Sequence, residues 1–451
     1  MAVKRHYNRT GLSGPALPIR VLARAKASEI CLSSCNRFSG PRVKLVLFAH
    51  KPPPHHGQSY MVELLLDALG GDEREPEASG PSPGIACYHV DARYSTSTQD
   101  VGQARFGKIL LALRFSAQAI WFRLRFNVRN LYYVPAYPAR TPIYRDWIVL
   151  TLCRPFFSTI IFHWHTAGLA EWMETTARPW ERWICQRVYA KPDLSIVLRP
   201  FNRRDAIGVA SRRIEIVPNG IPDPCPDFDP AVRPRRLARA AARRKLLAGQ
   251  PLAEAERAAA GRDAHTFRVL FISLCFREKG LFDTVEAVAL MCRNLKDSPL
   301  RVRLTVAGSF WIEAERAEFQ QRIAQADLQD DGEPVVDYRG FVGGVEKAQL
   351  FAESDCLCFP TYTPEAFGLV LLEGMAFGLA LVTTNWRDLS ELLPPNPKGV
   401  VAPRAPEQIA TALMSHLDRD YDATLREFFL ANYIEKTFIE RMKAALTKLD
   451  A

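Results

Sequence analysis

The sequence predicts an α/β chain in which two Rossmann-like domains face each other across a cleft. Three observations predict it. From residue 43 onward, short apolar runs alternate with helical patterns. The runs form two series of six. Between the series stands Val217-Pro218-Asn219-Gly220-Ile221-Pro222-Asp223-Pro224, whose prolines and Asn-Gly pair break regular structure. Buried β runs joined by helical crossovers argue for parallel sheets covered on both faces. Such sheets bind ligands where strand C-termini meet a crevice.

Taken in order, the first series places strands at 43–49, 86–90, 130–134, 159–165, 194–198 and 214–217. The second places them at 268–274, 303–307, 336–341, 356–360, 379–383 and 399–402. The expected organisation begins with a disordered basic tail over 1–40 and a first domain over 41–222. A linker and insert over 223–265 follow, then a second domain over 266–425. A C-terminal helix over 426–451 is expected to pack back toward the first domain. The Ala- and Arg-rich stretch 231–265 reads as one or two solvated helices.

The 451 residues suffice for two or three ordinary domains. A net charge of +10 suggests a nucleic-acid partner until the charge is located. Residues 1–40 carry +6 and residues 231–265 another +6, which leaves −2 for everything else. The folded core is therefore not basic, and nucleic acid is not the expected partner. Ten cysteines show no C-x-x-C pair and no zinc-like spacing, as expected of reduced thiols in a cytoplasmic protein. The first thirty residues lack the continuous apolar run of a signal peptide. Arg154-Pro155 divides the apolar stretch 147–162 into pieces too short to span a bilayer.

Residues 105–129 hold six Lys/Arg and no acid. Ile109, Leu113, Ile120 and Leu124 form one helical stripe, and Leu111, Phe115, Phe122 and Phe126 a second. One stripe packs on the sheet. The other either joins the core or touches anionic lipid headgroups at the membrane periphery.

Pro364-Glu365-Ala366-Phe367-Gly368-Leu369-Val370-Leu371-Leu372-Glu373 carries the clearest chemistry. Two carboxylates bracket a turn that opens a helix. The helix start offers unpaired N–H groups and a positive dipole end, which attract an anion such as a diphosphate. Glu373 shares a stripe with Val370 and Phe377, so its carboxylate faces apolar neighbours and needs a partner. A ribose diol would supply one. Lys279, in Cys275-Phe276-Arg277-Glu278-Lys279-Gly280, follows the first strand of the second series, where a cation meets such a diphosphate. Alone, this loop reads as solvated surface. Asp227-Phe228-Asp229 has the D-x-D spacing of some metal sites, but it lies in the Pro-rich linker and reads as chance.

The segment from Phe359 to Gly378 resembles the donor-site signature of retaining glycosyltransferases of the GT-B fold, the glycosyl transferases group 1 family. The resemblance runs over about 43–445 and is strongest over 268–405. It implies transfer of a sugar from a nucleotide diphosphate sugar to an acceptor hydroxyl. An acceptor domain precedes a donor domain, anomeric configuration is retained, and no metal or other cofactor is needed.

It also implies roles. Glu365 fixes donor sugar hydroxyls. Glu373 holds the ribose. Lys279 and the N–H groups around Phe367, Gly368 and Leu369 hold the leaving diphosphate. Gly57 matches a glycine-containing loop that approaches the sugar-phosphate, although a proline-stiffened βα loop explains it equally. His165, in Phe162-His163-Trp164-His165, matches a histidine facing the sugar, with His163 the lesser candidate. Glu391 supports the fold only. Where the family has an arginine five residues before the lysine, this chain has Leu274, and Arg277 is the substitute within reach. The expected setting is polysaccharide or glycolipid synthesis with a glycan or lipid-linked acceptor. A nucleotide-sugar epimerase of the same fold and a non-catalytic relative are the alternatives.

Overall fold

The computed structural model describes residues 43–53, 57–75, 84–94, 106–261, 264–330, 332–418 and 423–448. The expected basic tail lies outside them, as do His55, His56, Cys31 and Cys35. The first sheet contains β1 (Val43–Ala49), β2 (Ile85–Asp91), β3 (Asn130–Tyr133), β4 (Thr159–Trp164), β5 (Leu194–Val197) and β6 (Ile214–Ile216). Its helices are α1 (Gly57–Ala68), α2 (Phe106–Arg125), α3 (Arg140–Cys153), α4 (Leu169–Thr175), α5 (Pro179–Val188) and α6 (Arg203–Gly208). All its pairings are parallel, in the order β2-β1-β3-β4-β5-β6.

Two helices, α7 (Arg233–Leu247) and α8 (Glu254–Ala260), lead to the second sheet. It is built from β7 (Thr266–Ile272) and β8 (Arg301–Ala307), then β11 (Val336–Gly340), β12 (Cys356–Phe359), β13 (Ala380–Thr384) and β14 (Val400–Val401). Between β8 and β11 lies a small antiparallel hairpin, β9 (Gln329–Asp330) and β10 (Glu333–Pro334). The parallel order is β11-β8-β7-β12-β13-β14. The helices are α9 (Leu281–Asn294), α10 (Glu313–Ile323), α11 (Gly344–Glu353), α12 (Leu369–Ala376) and α13 (Pro406–Met414). The chain ends with α14 (Thr424–Asn432) and α15 (Glu435–Thr447).

The strands form where the apolar runs stand, and the central ones are buried on both faces. Alternation along β1 sends Leu45 and Leu47 into one apolar cluster, Val46 and Phe48 into another. Along β7, Phe267, Val269 and Phe271 enter one cluster, Leu270 and Ile272 the opposite one. The last helix crosses back. Phe438, Met442 and Leu446 of α15 join the cluster that holds Leu45 and Leu47. Gly220 makes this crossing possible: a Cβ there would lie 2.7 Å from Phe438 Cβ and 2.8 Å from the Ile434 carbonyl.

One expectation is corrected. Of the two helices of the 231–265 insert, α8 is solvated except at Ala260, but α7 is not. Arg236, Arg239 and Arg243 form one stripe on α7, directed into the second domain. Arg236 donates to the carbonyls of Phe377, Phe351 and Ser354, at the C-terminal ends of α12 and α11. Arg239 and Arg243 meet the buried Asp355 carboxylate at 3.0 and 3.2 Å. Cations belong at helix C-termini, where carbonyls lack partners. Charge composition alone hid this, because the acceptors come from residues more than a hundred positions away.

The two stripes of α2 divide between core and surface. Phe115 and Phe122 are the buried stripe, Phe122 packing on Tyr88 of β2 and beneath the Arg74 guanidinium. Ile109, Leu110, Leu113, Trp121 and Leu124 are exposed, with Leu124 at 67%. Arg114, Arg125 and Arg129 lie exposed on the same segment. Among the described residues, no helix is long and apolar enough to cross a membrane. All eight described cysteines are free.

Candidate active site

The strand order of the second sheet reverses between β7 and β12, and a parallel α/β sheet opens its crevice at such a reversal. The loops leaving these two strands carry Lys279 and Glu365. After β7 the chain makes a tight turn over Arg277–Lys279 and ends it at Gly280, in the left-handed region at φ 79°. A Cβ at Gly280 would lie 2.4 Å from the Pro360 carbonyl, so only glycine lets this loop press against the end of β12. The Tyr362 N–H donates to the Glu278 carbonyl at 2.8 Å, tying the loops together.

Lys279 Nζ ion-pairs with Glu365 Oε1, and the Thr363 hydroxyl donates to the same oxygen at 3.1 Å. The Lys279 ammonium lies 5.6 Å from the Phe359 ring centroid. Burial lowers its pKa to about 8. The loop then passes through Gly368, at φ 82°, into α12. Among the described residues, no group accepts a hydrogen bond from the N–H of Ala366, Phe367 or Gly368. The Phe367 ring is buried edge-on against Tyr433, so its N–H is what it offers. Leu369 follows, and Gly57 of α1 packs on it closely enough that a Cβ would sit 3.2 Å from Leu369 Cδ1.

Glu373 has a partner that the sequence did not reveal. Lys347 of α11 reaches its Oε1 at 2.5 Å. Across from it stands Tyr60 of α1, whose pKa is raised first by burial and then by the charges of Glu435 and Glu373. Arg277 is placed apart from Lys279. Its guanidinium makes two 2.6 Å contacts to Glu318 and lies 4.3 Å over the Phe282 ring. The acids of α10 capture it, so the reach expected toward the diphosphate is not the one adopted. In the D-x-D string, Phe228 is buried and Asp229 pairs with Arg233 at 3.2 Å. Among the described residues, no three His, Cys, Asp or Glu side chains converge as a metal site.

The first sheet contributes histidines. His165 and His163 alternate along the end of β4 onto one face. His165 Nε2 lies 3.1 Å from His163 Nδ1, which also bonds the Tyr132 hydroxyl. Burial, followed by the neighbouring His165, holds His163 well below the usual histidine range, so it is neutral. Asp205 fixes the turn that follows by accepting from the N–H groups of Gly168 and Ala170, each at 2.8 Å.

Two arginines missed in the sequence join the sheets. Arg199, just beyond β5, bonds three carbonyls in the loops after β12 and β13. Arg387, at φ 51°, pairs with Glu171 of α4 at 2.7 Å. Their signal lay in no local motif, since their partners lie far along the chain. Glu391, expected to serve the fold, has structural contacts. It is 3.6 Å from Arg199 and accepts from the Phe201 N–H at 3.1 Å, so it helps to join the sheets.

Residues 253–428 match the family model described as glycosyl transferases group 1. The amylovoran biosynthesis glycosyltransferase AmsK of Erwinia amylovora is 29% identical over 165 residues, 35% of this chain and 38% of that protein. A D-inositol 3-phosphate glycosyltransferase of Pseudarthrobacter chlorophenolicus is 35% identical over 133 residues, 30% of each chain. The chain thus spans well under half the length of these curated relatives. HepE of Anabaena, solved in complex with UDP and glucose, superposes at a TM-score of 0.58 and 15% identity, over 90% of this chain and 99% of its own. Residues 253–428 are therefore a glycosyl transferases group 1 module, and the two sheets together form a GT-B fold.

Proposed function

We propose that the protein transfers a sugar from a nucleoside diphosphate sugar to an acceptor hydroxyl, with retention of anomeric configuration. The observation that carries this reading is the Lys279–Glu365 pair, which joins the two loops at the strand-order reversal, beside the undonated N–H groups of Ala366, Phe367 and Gly368. In this reading the diphosphate takes Lys279 and the N–H groups, and needs no metal for neutralisation. Glu365, released from Lys279, accepts hydrogen bonds from the donor sugar. Glu373 accepts them from the ribose. His165 faces the sugar from the first sheet. The C1–O bond to the diphosphate breaks as the bond from C1 to the acceptor oxygen forms, and the acceptor proton leaves with the released diphosphate.

The setting we propose is synthesis of a cell-surface polysaccharide or glycolipid, in keeping with the name of the Erwinia relative. A lipid-linked acceptor would bring the protein to the cytoplasmic membrane. The exposed Leu113, Trp121 and Leu124, with Arg114 and Arg125 beside them, suit peripheral contact with anionic headgroups.

A thermal-shift screen of nucleoside diphosphate sugars, followed by mass and NMR analysis of the products, tests the reading. Released or transferred sugar of unchanged anomeric configuration supports it. An epimerised donor formed without acceptor would establish the epimerase instead. Binding without any turnover would leave a non-catalytic relative.

A further inference from the structure

We infer that Arg199 is a positioning residue that aims the diphosphate-binding backbone of the second sheet from the first. The inference rests on the diphosphate reading above. Arg199 is 2% exposed. Its Nη2 donates to the Glu365 carbonyl at 2.9 Å, its Nε to the Ala366 carbonyl at 3.1 Å and its Nη1 to the Arg387 carbonyl at 2.6 Å. Asn202 Nδ2 adds a second donor to the Ala366 carbonyl, at 3.1 Å. Glu391 lies 3.6 Å from the guanidinium and supplies the counter-charge.

Peptide geometry gives these bonds their consequence. In a trans peptide the C=O and the following N–H point in opposite directions. The Glu365 carbonyl shares a peptide plane with the Ala366 N–H, and the Ala366 carbonyl shares one with the Phe367 N–H. Drawing both carbonyls toward Arg199 turns both N–H groups away from it. Those are two of the N–H groups that donate to no described residue. The fork matters as much as the charge, because one planar guanidinium reaches three carbonyls in fixed directions. A lysine ammonium, compact and flexible, does not hold two adjacent peptide planes. The donor grip is thus set by a side chain of the opposite domain. A shift of that domain reaches the diphosphate site through Arg199 and its neighbour Asn202.

The test is calorimetric. The tightest binder among UDP, GDP and ADP is paired with its own nucleoside, and both are titrated into wild type, Arg199→Lys and Asn202→Ala. Arg199→Lys is expected to weaken the diphosphate about tenfold while leaving the nucleoside within about twofold. Asn202→Ala is expected to act in the same direction by a smaller factor, and it decides the matter if Arg199→Lys does not fold. If both variants keep the wild-type ratio of diphosphate to nucleoside affinity, the inference falls and the diphosphate reading stands. If wild type holds no diphosphate more tightly than its nucleoside, both fall together. A merely structural role would weaken the two ligands alike, which also overturns the inference.

Discussion

The two sheets share six parallel strands but differ in what stands at the strand ends. At the ends of β3 and β4 the first presents Tyr132, His163 and His165, hydrogen-bonded to one another, with His163 held uncharged by burial. The second presents ions: Lys279 with Glu365, and Lys347 with Glu373. The covers differ in the same sense. The first sheet is closed by the apolar side of α15, while the second is closed in part by the arginines of α7 around Asp355. A charged leaving group suits the second sheet and an uncharged hydroxyl the first. The asymmetry in side chains therefore matches the asymmetry of the proposed reaction, although both sheets follow the same architectural rule.

The sharpest way to break this comparison is at its charged cover. Arg243→Met leaves Asp355 with less compensation in a buried place, and removing one partner of a buried pair costs roughly 3–5 kcal/mol. Chemical denaturation is expected to register a loss near the lower end, because Arg239 remains. Burial pushes the Asp355 carboxyl up, but Arg243 and Arg239 more than offset it and hold the carboxyl below its usual range. Its stabilising contribution is therefore present above the unfolded value and disappears as pH falls through the folded one. In the variant that acid sensitivity should shrink. Unchanged stability and unchanged acid sensitivity would make the arginine stripe incidental.

Next in size is Lys279→Ala. A charge-assisted hydrogen bond contributes roughly 1.5–3 kcal/mol, so affinity for a nucleoside diphosphate should fall by about ten- to a hundredfold, with the nucleoside little affected. Because burial brings Lys279 to about 8, wild-type affinity should also decline as pH rises past that value, with uptake of a proton on binding. Calorimetry in buffers of different ionisation enthalpy measures the uptake. Lys279→Arg, which stays charged, should abolish the decline. Equal losses for nucleoside and diphosphate would remove the charge-specific role.

Glu373→Gln should have a smaller effect, about 1 kcal/mol, because an amide still accepts one hydrogen bond. It should weaken nucleoside and nucleoside diphosphate alike, the pattern opposite to that of Lys279. A selective loss of the diphosphate would show that Glu373 acts through Lys347 rather than on the ribose.

Much of the scaffold was legible in the sequence. Buried parallel strands read as apolar runs, and all twelve expected strands are present within two residues at either end. The β9–β10 hairpin was not legible, because Gln329-Asp330 and Glu333-Pro334 have neither alternation nor β-branched residues. Glu365, Lys279 and Gly368 were legible because each sits in a short local motif. Arg199, Lys347 and the stripe of α7 were not, since each takes its meaning from a carbonyl or carboxylate supplied by a distant segment. Which α2 stripe enters the core stayed open for a related reason. Both stripes are apolar, and only contact with Tyr88 and Arg74 decides between them.

The smallest expected effect is at that face. In a chain lacking residues 1–40, Trp121→Ser with Arg125→Glu should reduce binding to anionic vesicles at low salt, each basic residue contributing about 1 kcal/mol. Vesicle sedimentation measures it. Wild-type protein that sediments with no vesicles at low salt would leave the first sheet's exposed apolar residues without a membrane role.

The return of α15 has a consequence for synthesis on the ribosome. The strands of the first sheet emerge early, yet the cluster around Leu45 and Leu47 lacks Phe438, Met442 and Leu446 until the second sheet has also been made. A nascent chain arrested at Asn432 would hold both sheets with one of them uncovered, a state open to proteases and to chaperones that recognise apolar surface. Limited proteolysis of arrested chains should find the first sheet cut readily at that length and protected once Lys448 has cleared the exit tunnel. Equal protection at both lengths would mean that the first domain closes its core without the helix. The face of β1 that holds Leu45 and Leu47 is thus completed by a helix made after both sheets, which links the birth order of the two domains to the moment at which the first is covered.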